Sequence, residues 1–521
     1  MKNKFKILIV ATLLLTGFSS CSNWLEVLPE NQMVLEQYWK TESDAQAVMS
    51  ACYRGLIEND VTYRMLIWGE LRSDNVIEAL NKDVDISNIL GQEITPANAN
   101  CHWGAFYSVI NNCNTFLKYA PDVVNVDANF TTAKLHAMEA EVLTIRALAY
   151  FYLVRAFKNV PYITTPSVDD SQDFMVKQSS ERVVLDSITN DLLVAAQYAK
   201  TSFNTLNYTK GRITKNAIYA LLADIYLWDQ KYPQCIDMCN KVMSDNTLKL
   251  VDAESVIGSV FYDGKSSETI FELLFNDKVQ INFATRNLYG WSGSTYGGIG
   301  GVSFPANLAP GKQYSPFKYS LGNGIYESEK DTRAKDFYNT NANLGIYSIF
   351  KYAGLSRTEN STTNLSTYTY RSNTSNWIVY RLSDVILMKA EAMVQDTTIG
   401  LDNVVALVNM TYKRSNPDAD TLSITKYSSA SDVETLVVRE RQRELMFEGK
   451  RWFDLVRLAR RANSTAPLIS YVAKTTTGNE ALGRMSVMNA LYWPVHKDEL
   501  TADSLLVQNP FYNTVTSSNS N

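Results

Sequence analysis

The stretch that most constrains this chain is "RERQRELMFEGKRWFDLVRLARR", Arg439–Arg461, with eight basic and four acidic residues in 23 positions around Leu445, Met446, Phe447, Trp452 and Phe453. A fold has to find a partner for each of these charges while packing those large apolar side chains. Along a phosphate-binding helix, Lys and Arg line one face with few acids. Here the acids interleave, at Lys450/Asp454, Glu448/Arg451 and Asp454/Arg457, and those spacings suit pairing on a helix surface. Arg over Lys favours fixed, two-pronged contacts to carboxylates or carbonyls. Gly449 divides the stretch and can end one helix before the next begins. The reading is a structural charge network that locks helices around Phe447, Trp452 and Phe453. A net charge of −5 argues against a nucleic-acid partner, which calls for a basic field.

The amino terminus has Lys2, Lys4 and Lys6, then the apolar run "ILIVATLLLTGF" at 7–18, then Ser19, Ser20 and Cys21. Its 12 apolar residues fall short of the roughly 20 that span a bilayer. An ordinary secretory signal is the plainer interpretation. A Cys directly after small residues favours a lipoprotein, with residues 1–20 removed and Cys21 acylated as a membrane anchor. The other cysteines, Cys52, Cys101, Cys113, Cys235 and Cys239, are odd in number and form no C-x-x-C. They are expected to be small buried apolar residues. Only three His leave little room for a His-rich metal site, and none is expected.

Helical periodicity dominates the rest. "SDAQAVMSACYRGL" (43–56) predicts a helix capped by Ser43 or Asp44, and Trp103, Tyr107, Ile110, Asn114 and Leu117 recur at helical spacing. Residues 134–158 predict a long helix with an apolar stripe of Leu143, Ala147, Tyr150, Phe151 and Val154, ended by Pro161. Residues 214–243 predict two helices joined near Lys231–Pro233, a pattern that resembles a tetratricopeptide hairpin, and 381–414 predict another. Two segments differ. Residues 286–326 hold nine Gly, eight aromatics and only three charges, without helical period. Residues 356–376 are rich in Ser, Thr and Asn and are expected to be irregular. Long loops of this kind inside a compact domain are commonly functional.

Catalytic signatures are missing: there is no G-x-x-x-x-G-K-[ST], H-E-x-x-H or G-x-S-x-G. Glu70, Asp74 and Glu78 have helical spacing and are expected to be solvated or structural charges. The Gly-rich aromatic segment is the binding candidate. A sugar ring stacks its C–H face on flat aromatic rings, and Tyr289, Trp291 and Tyr296 could form such a platform, with Arg72, Asn98 and Asn100 bonding hydroxyls. The plainer alternatives are aromatics that pack the loop onto the helices, and polar residues that cap loops.

Five ordered motifs carry a family resemblance: "CSNWLEVLPENQ" (21–32), "ELRSDN" (70–75), "AEVLTIRALAYFYLVRAFKNVPYIT" (140–164), the charged stretch itself and "LYWPVHKDELTADSLLVQNPFY" (491–512). Together they resemble the SusD/RagB family of surface lipoproteins of Bacteroidetes, over nearly the whole chain. The resemblance implies an all-α architecture in a single domain, 21–521, with tetratricopeptide-like hairpins as scaffold and a loop-rich ligand face. Its N-terminal part would cover roughly 22–215. The remainder, 216–521, would carry the hairpins and the loop-rich insertions 286–326 and 356–376. It further implies a glycan binder without catalysis on the outer leaflet of the outer membrane. Such a protein delivers its ligand to a SusC-like TonB-dependent transporter. An oligopeptide importer is the alternative cargo reading. A glycoside hydrolase would need a carboxylate pair at the aromatic site, and a helical-repeat scaffold would not need the Gly-aromatic loop. No cofactor is called for; Ca²⁺ ordering a loop is compatible with the sequence.

Overall fold

The computed structural model describes residues 38–513, apart from 80–82, 169–171, 291–300, 306–307, 309–323, 329, 342–345, 353–354, 361–364, 371–373 and 477. Helix α1 (Glu42–Leu56) starts one residue before the expected caps. Thr41 is its N-cap, and Asp44 sits at the third helical position, so the two side chains cap each other's backbone N–H groups. Helix α2 (Asn59–Leu66) runs into a π-helical turn, Ile67–Leu71. Helices α3 (Gly104–Val123) and α4 (Thr132–Phe157) follow.

Leu143 of the expected stripe is half-buried, but every side chain of α4 from Thr144 to Phe157 is buried, on the stripe and off it, because α1, α3, α5 (Glu181–Tyr198) and α6 (Lys215–Trp228) surround it. A helix apolar on all sides belongs in a core. It ends at Lys158, whose φ of 69° breaks the helix before Pro161 is reached. Arg155, buried within it, lies over the rings of Phe151, Tyr152 and Phe453 and pairs with Asp224 of α6 at 3.2 Å.

The two expected hairpins are present. Helix α6 turns into α7 (Tyr232–Met243), with Pro233 in its first turn, where a missing N–H costs nothing. Helices α8 (Leu382–Val394) and α9 (Leu401–Ser415) form the second, and α7 packs on α8. The five described cysteines are buried and free. The architecture is all-α in its bulk, with short strand pairs added. Strand β1 (Ile77–Glu78) pairs with β3 (Val302–Ser303), and β2 (Thr269–Leu273) with β4 (Trp377–Arg381), both antiparallel. Within 356–376, expected to be irregular, Leu355–Asn360 pairs antiparallel with Leu365–Tyr370. Its recurring Thr and Tyr are strand formers, which the polar composition masked.

The charged stretch is two helices, α10 (Ala430–Leu445) and α11 (Arg451–Ala462), joined by a buried turn with Phe447 and Gly449 at φ 70° and 69°. It is a charge network, but two of its three expected pairs are replaced. Asp454 pairs with Arg457 at 2.7 Å as expected. Lys450 instead reaches Asp384 of α8, Glu448 reaches Arg381 and Lys351, and Arg451 reaches Asp74. The turn at Gly449 separates Glu448 and Arg451 onto different elements, so their helical spacing is not realised. Arg381, fully buried, binds Glu268, Glu444 and Glu448, and Arg333 binds Asp331, Glu440 and Glu444. Burial opposes ionisation of Glu444, but Arg414, Arg381 and Arg333 outweigh it and hold its pKa far below the usual carboxylate range. Lys351 feels burial most; its pKa falls to about 8 despite Glu448 beside it.

Candidate functional site

The "ELRSDN" segment docks on the turn between α10 and α11. Glu70, fully buried, accepts N–H bonds from Phe447 (3.0 Å) and Gly449 (2.9 Å) and one from the Asn75 amide (2.7 Å). Burial nevertheless raises its pKa to about 7, against those three donors. Asp74 takes a two-pronged bond from Arg451 and another from Gln442, which also reaches Asn75. These carboxylates are therefore structural, not solvated. The backbones touch as closely as glycine allows: a Cβ on Gly69 would lie 1.7 Å from the Gly449 carbonyl oxygen.

This anchored segment leads into β1, and through β1–β3 it grips the far end of the Gly-rich aromatic segment. The near end is gripped too. The short helix Phe283–Tyr289 stops at Gly290 (φ 111°), and Gly301 N–H donates to the Asn287 carbonyl at 2.9 Å. The chain therefore leaves at Gly290 and returns at Gly301 to the same place. Tyr289 donates its hydroxyl to the Phe447 carbonyl at 2.9 Å and packs on the Phe447 ring, and Phe304 stacks on Tyr338 and meets Phe447 edge-on. Both ends of residues 291–300 are fixed to one buried turn.

The residues predicted to bind ligand separate into two groups. Trp291 and Tyr296, like Cys21, lie outside the described residues. Tyr289, Arg72, Asn98 and Asn100 are described, and all four are buried. Tyr289 has 0% exposure and offers no open face, so it roots the loop and does not form a platform. Arg72 spends its guanidinium on Gln92 and on the carbonyls of Leu491 and Ala490, and lies over the Trp452 ring. Asn98 caps the turn Ala99–Cys101 and bonds the Asp85 carbonyl, while the Asn100 carbonyl accepts from the Trp68 indole. A motif of Arg and Asn carries no mark of burial in sequence, and here satisfied burial is what these residues do.

Two features escaped sequence reasoning. One is a groove of about 740 Å³ between α1 and the start of α4, lined by Met49, Tyr53, Ile57, Met138, Tyr208 and Leu274. Its polar wall is the buried Glu141, which accepts from the Tyr53 hydroxyl (2.5 Å) and from Arg212 (2.6 Å). Such a groove suits a ligand with an apolar face, and its apolar spacing on α1 is indistinguishable from core spacing. The other is a contact of His102 with His496, ring centroids 3.5 Å apart, with Asp498 beside them.

Residues 255–512 match the sequence model of the SusD family, and residues 23–227 match a model described as "Starch-binding associating with outer membrane". Over 507 residues the chain is 24% identical to SusD-like protein P38 of Formosa agariphila, covering 89% of this chain and 94% of that protein. It is also 24% identical to SusD-like protein P2 of the same organism, over 87% of this chain and 90% of the relative. A SusD superfamily protein from Bacteroides vulgatus shares the fold at TM-score 0.71 and 20% identity, covering 91% of this chain and 100% of that one. A SusD homolog from Bacteroides thetaiotaomicron does so at 0.70 and 20%, covering 91% and 98%. No helix among the described residues is long and apolar enough to cross a membrane.

Proposed function

The chain belongs to the SusD family, and on that premise we propose that it is a surface lipoprotein that captures a glycan and hands it to a SusC-like TonB-dependent transporter. It acts by binding, without breaking a bond. The observation that carries this reading is the way residues 291–300 are mounted. A segment rich in Gly and aromatics, and poor in charge, starts and ends on one buried turn, gripped by Tyr289 on one side and the β1–β3 pair on the other. A fixed base on both flanks of such a segment suits a ligand platform, since it limits the conformational entropy lost on binding. Trp291 and Tyr296 supply the stacking faces in this reading, and Tyr289 supplies their base. The family description of the N-terminal part, starch-binding and associated with the outer membrane, supports a carbohydrate ligand and an anchor at Cys21.

The test is a glycan panel with protein starting at Ser22, beside Trp291→Ala. Binding that the substitution reduces by about fivefold or more, in line with ~1–3 kcal/mol for a stacked ring, supports the platform. Glycan binding that survives it moves the site elsewhere, with the groove beside Tyr53 as the next place to examine. Binding to oligopeptides and to no glycan replaces the cargo.

A further inference from the structure

The close packing of α1 on α3 brings two cysteines together. The helices run antiparallel: Trp39, just before α1, packs on Phe116 and Tyr119 late in α3, while Gly55 at the end of α1 meets Val109 early in it. The approach is tight. A Cβ on Gly55 would lie 3.7 Å from the Val109 Cβ, inside the roughly 3.5–4.5 Å that separates the Cβ atoms of a disulfide. One turn further along, Cys52 stands three residues before Gly55 and Cys113 four residues after Val109, so the antiparallel register sets them opposite one another. Both have 0% exposure, and their thiols lie within hydrogen-bonding reach of each other. Cys235 and Cys239 also touch, but on successive turns of one helix, α7. There the two Cα–Cβ bonds run parallel, and a Cβ–S–S–Cβ dihedral near 90° does not fit without unwinding the helix.

We propose that Cys52 and Cys113 are joined by a disulfide as the exported chain folds in an oxidising compartment, stapling α1 to α3. The oxidising compartment follows from the export in the proposed function, whereas the pairing follows from the helix packing. The step is thiol–disulfide exchange with an oxidant that itself carries a disulfide. One cysteine thiolate attacks a sulfur of that disulfide, whose other sulfur leaves as a thiolate, and the second cysteine then attacks the mixed disulfide. One S–S bond forms in the protein and one breaks in the oxidant, which takes up two electrons and the two protons. The step belongs to folding, before the helices close. Burial raises the Cys113 thiol well above its ordinary pKa, with the contact to Cys52 next, so the folded pair holds almost no thiolate, the attacking form. The same enclosure shields the finished bond from reductants. The bond closes a loop of roughly 60 residues that holds α2 and the first half of α3, and so restricts the unfolded chain.

Protein starting at Ser22, which carries five cysteines, is unfolded and reduced, then refolded in parallel with a mixture of oxidised and reduced glutathione or with dithiothreitol. Folded material is isolated by gel filtration, denatured and alkylated with N-ethylmaleimide, and intact mass counts the thiols. Three alkylated cysteines are expected after glutathione, the five less the two in the bond, and all five after dithiothreitol. Digestion of the first sample should yield a linked Cys52–Cys113 peptide. The oxidised protein should unfold about 2–4 °C above the reduced protein, and Cys113→Ala should abolish that difference. The thiol count comes from the unsubstituted chain, so a variant that folds poorly does not decide the result. The proposal is overturned by five free thiols in the folded glutathione sample, or by a bond joining any other pair, such as Cys235 with Cys239. No glycan enters these readouts: five free thiols would leave the transport reading standing, and a failed glycan panel would leave the bond standing.

Discussion

Asp74 and Arg451 show what a single buried charge does here. Each is almost fully enclosed, and each is the other's main partner. Asp74→Ala leaves the Arg451 guanidinium buried beside a cavity, so a loss of about 3–5 kcal/mol is expected in urea unfolding. Removing both, as Asp74→Ala with Arg451→Met, should cost less than the single change; an additive double mutant would refute the coupling. The Gly69–Gly449 contact gives a second prediction. Gly69→Ala places a Cβ against a backbone oxygen that cannot move aside, whereas Gly449→Ala meets Met65 and Trp377 at 3.1 Å from a φ of 69°. Both should lower soluble yield and Tm, Gly69→Ala more. At this scale the sequence was least legible. That Arg72, Asn98 and Asn100 are polar is plain to read, but which polar residues are buried depends on partners such as Leu491 and Asp85, distant in sequence or masked by turn chemistry.

Among elements, the helices were legible and the pairings between them were not. The hairpins 214–243 and 381–414 stand where their periodicity puts them, because local spacing and Pro punctuation decide a helix. Of the strand pairs that went unseen, β2 finds β4 across more than a hundred residues, while the local pair Leu355–Asn360 with Leu365–Tyr370 was hidden by its polar composition. The elements also govern acid stability. Asp384 on α8 has burial pushing its pKa up, but Lys450 and Arg441 outweigh it and hold it at about 2, below its ordinary 3.8. A depressed carboxylate stabilises the fold above its unfolded pKa and ceases to do so as pH falls through the folded one. Stability should therefore drop as pH falls from about 4 towards 2, with Glu444 and Glu448 adding in the same sense. Glu70 and Glu272, both raised to about 7 mainly by burial, act oppositely: their contribution declines as pH rises from about 4.5 to 7. Calorimetric Tm across pH 2–8 should then peak at moderate acidity. In Glu70→Gln the decline between pH 4.5 and 7 should be shallower, and an unchanged slope would contradict the assignment.

For the whole molecule, the sequence motifs identified the family and the all-α scaffold, and they located the Gly-rich segment without disclosing how it is mounted. That mounting depends on Phe447, a residue whose left-handed backbone no local pattern betrays. If the base under 291–300 is rigid, Tyr289→Phe should weaken glycan binding modestly, by removing the hydroxyl bond to the Phe447 carbonyl, while far-ultraviolet circular dichroism stays unchanged. A complete loss of helix signal in that variant would mean the tyrosine holds the scaffold and not just the loop. The interlocking of the two ends of the chain has a consequence in time. Arg72 completes its bonds only with the carbonyls of Ala490 and Leu491, Asp74 only with Gln442 and Arg451, and Ala156 receives the N–H of Trp493. The ribosome makes residue 72 long before residue 491, so an N-terminal third that folded on its own would bury Arg72 and Asp74 without these partners. Native assembly has to wait for nearly the last segment to be synthesised. Under the export that the proposed function requires, such a delay would leave the chain threadable until it reached the secretion machinery.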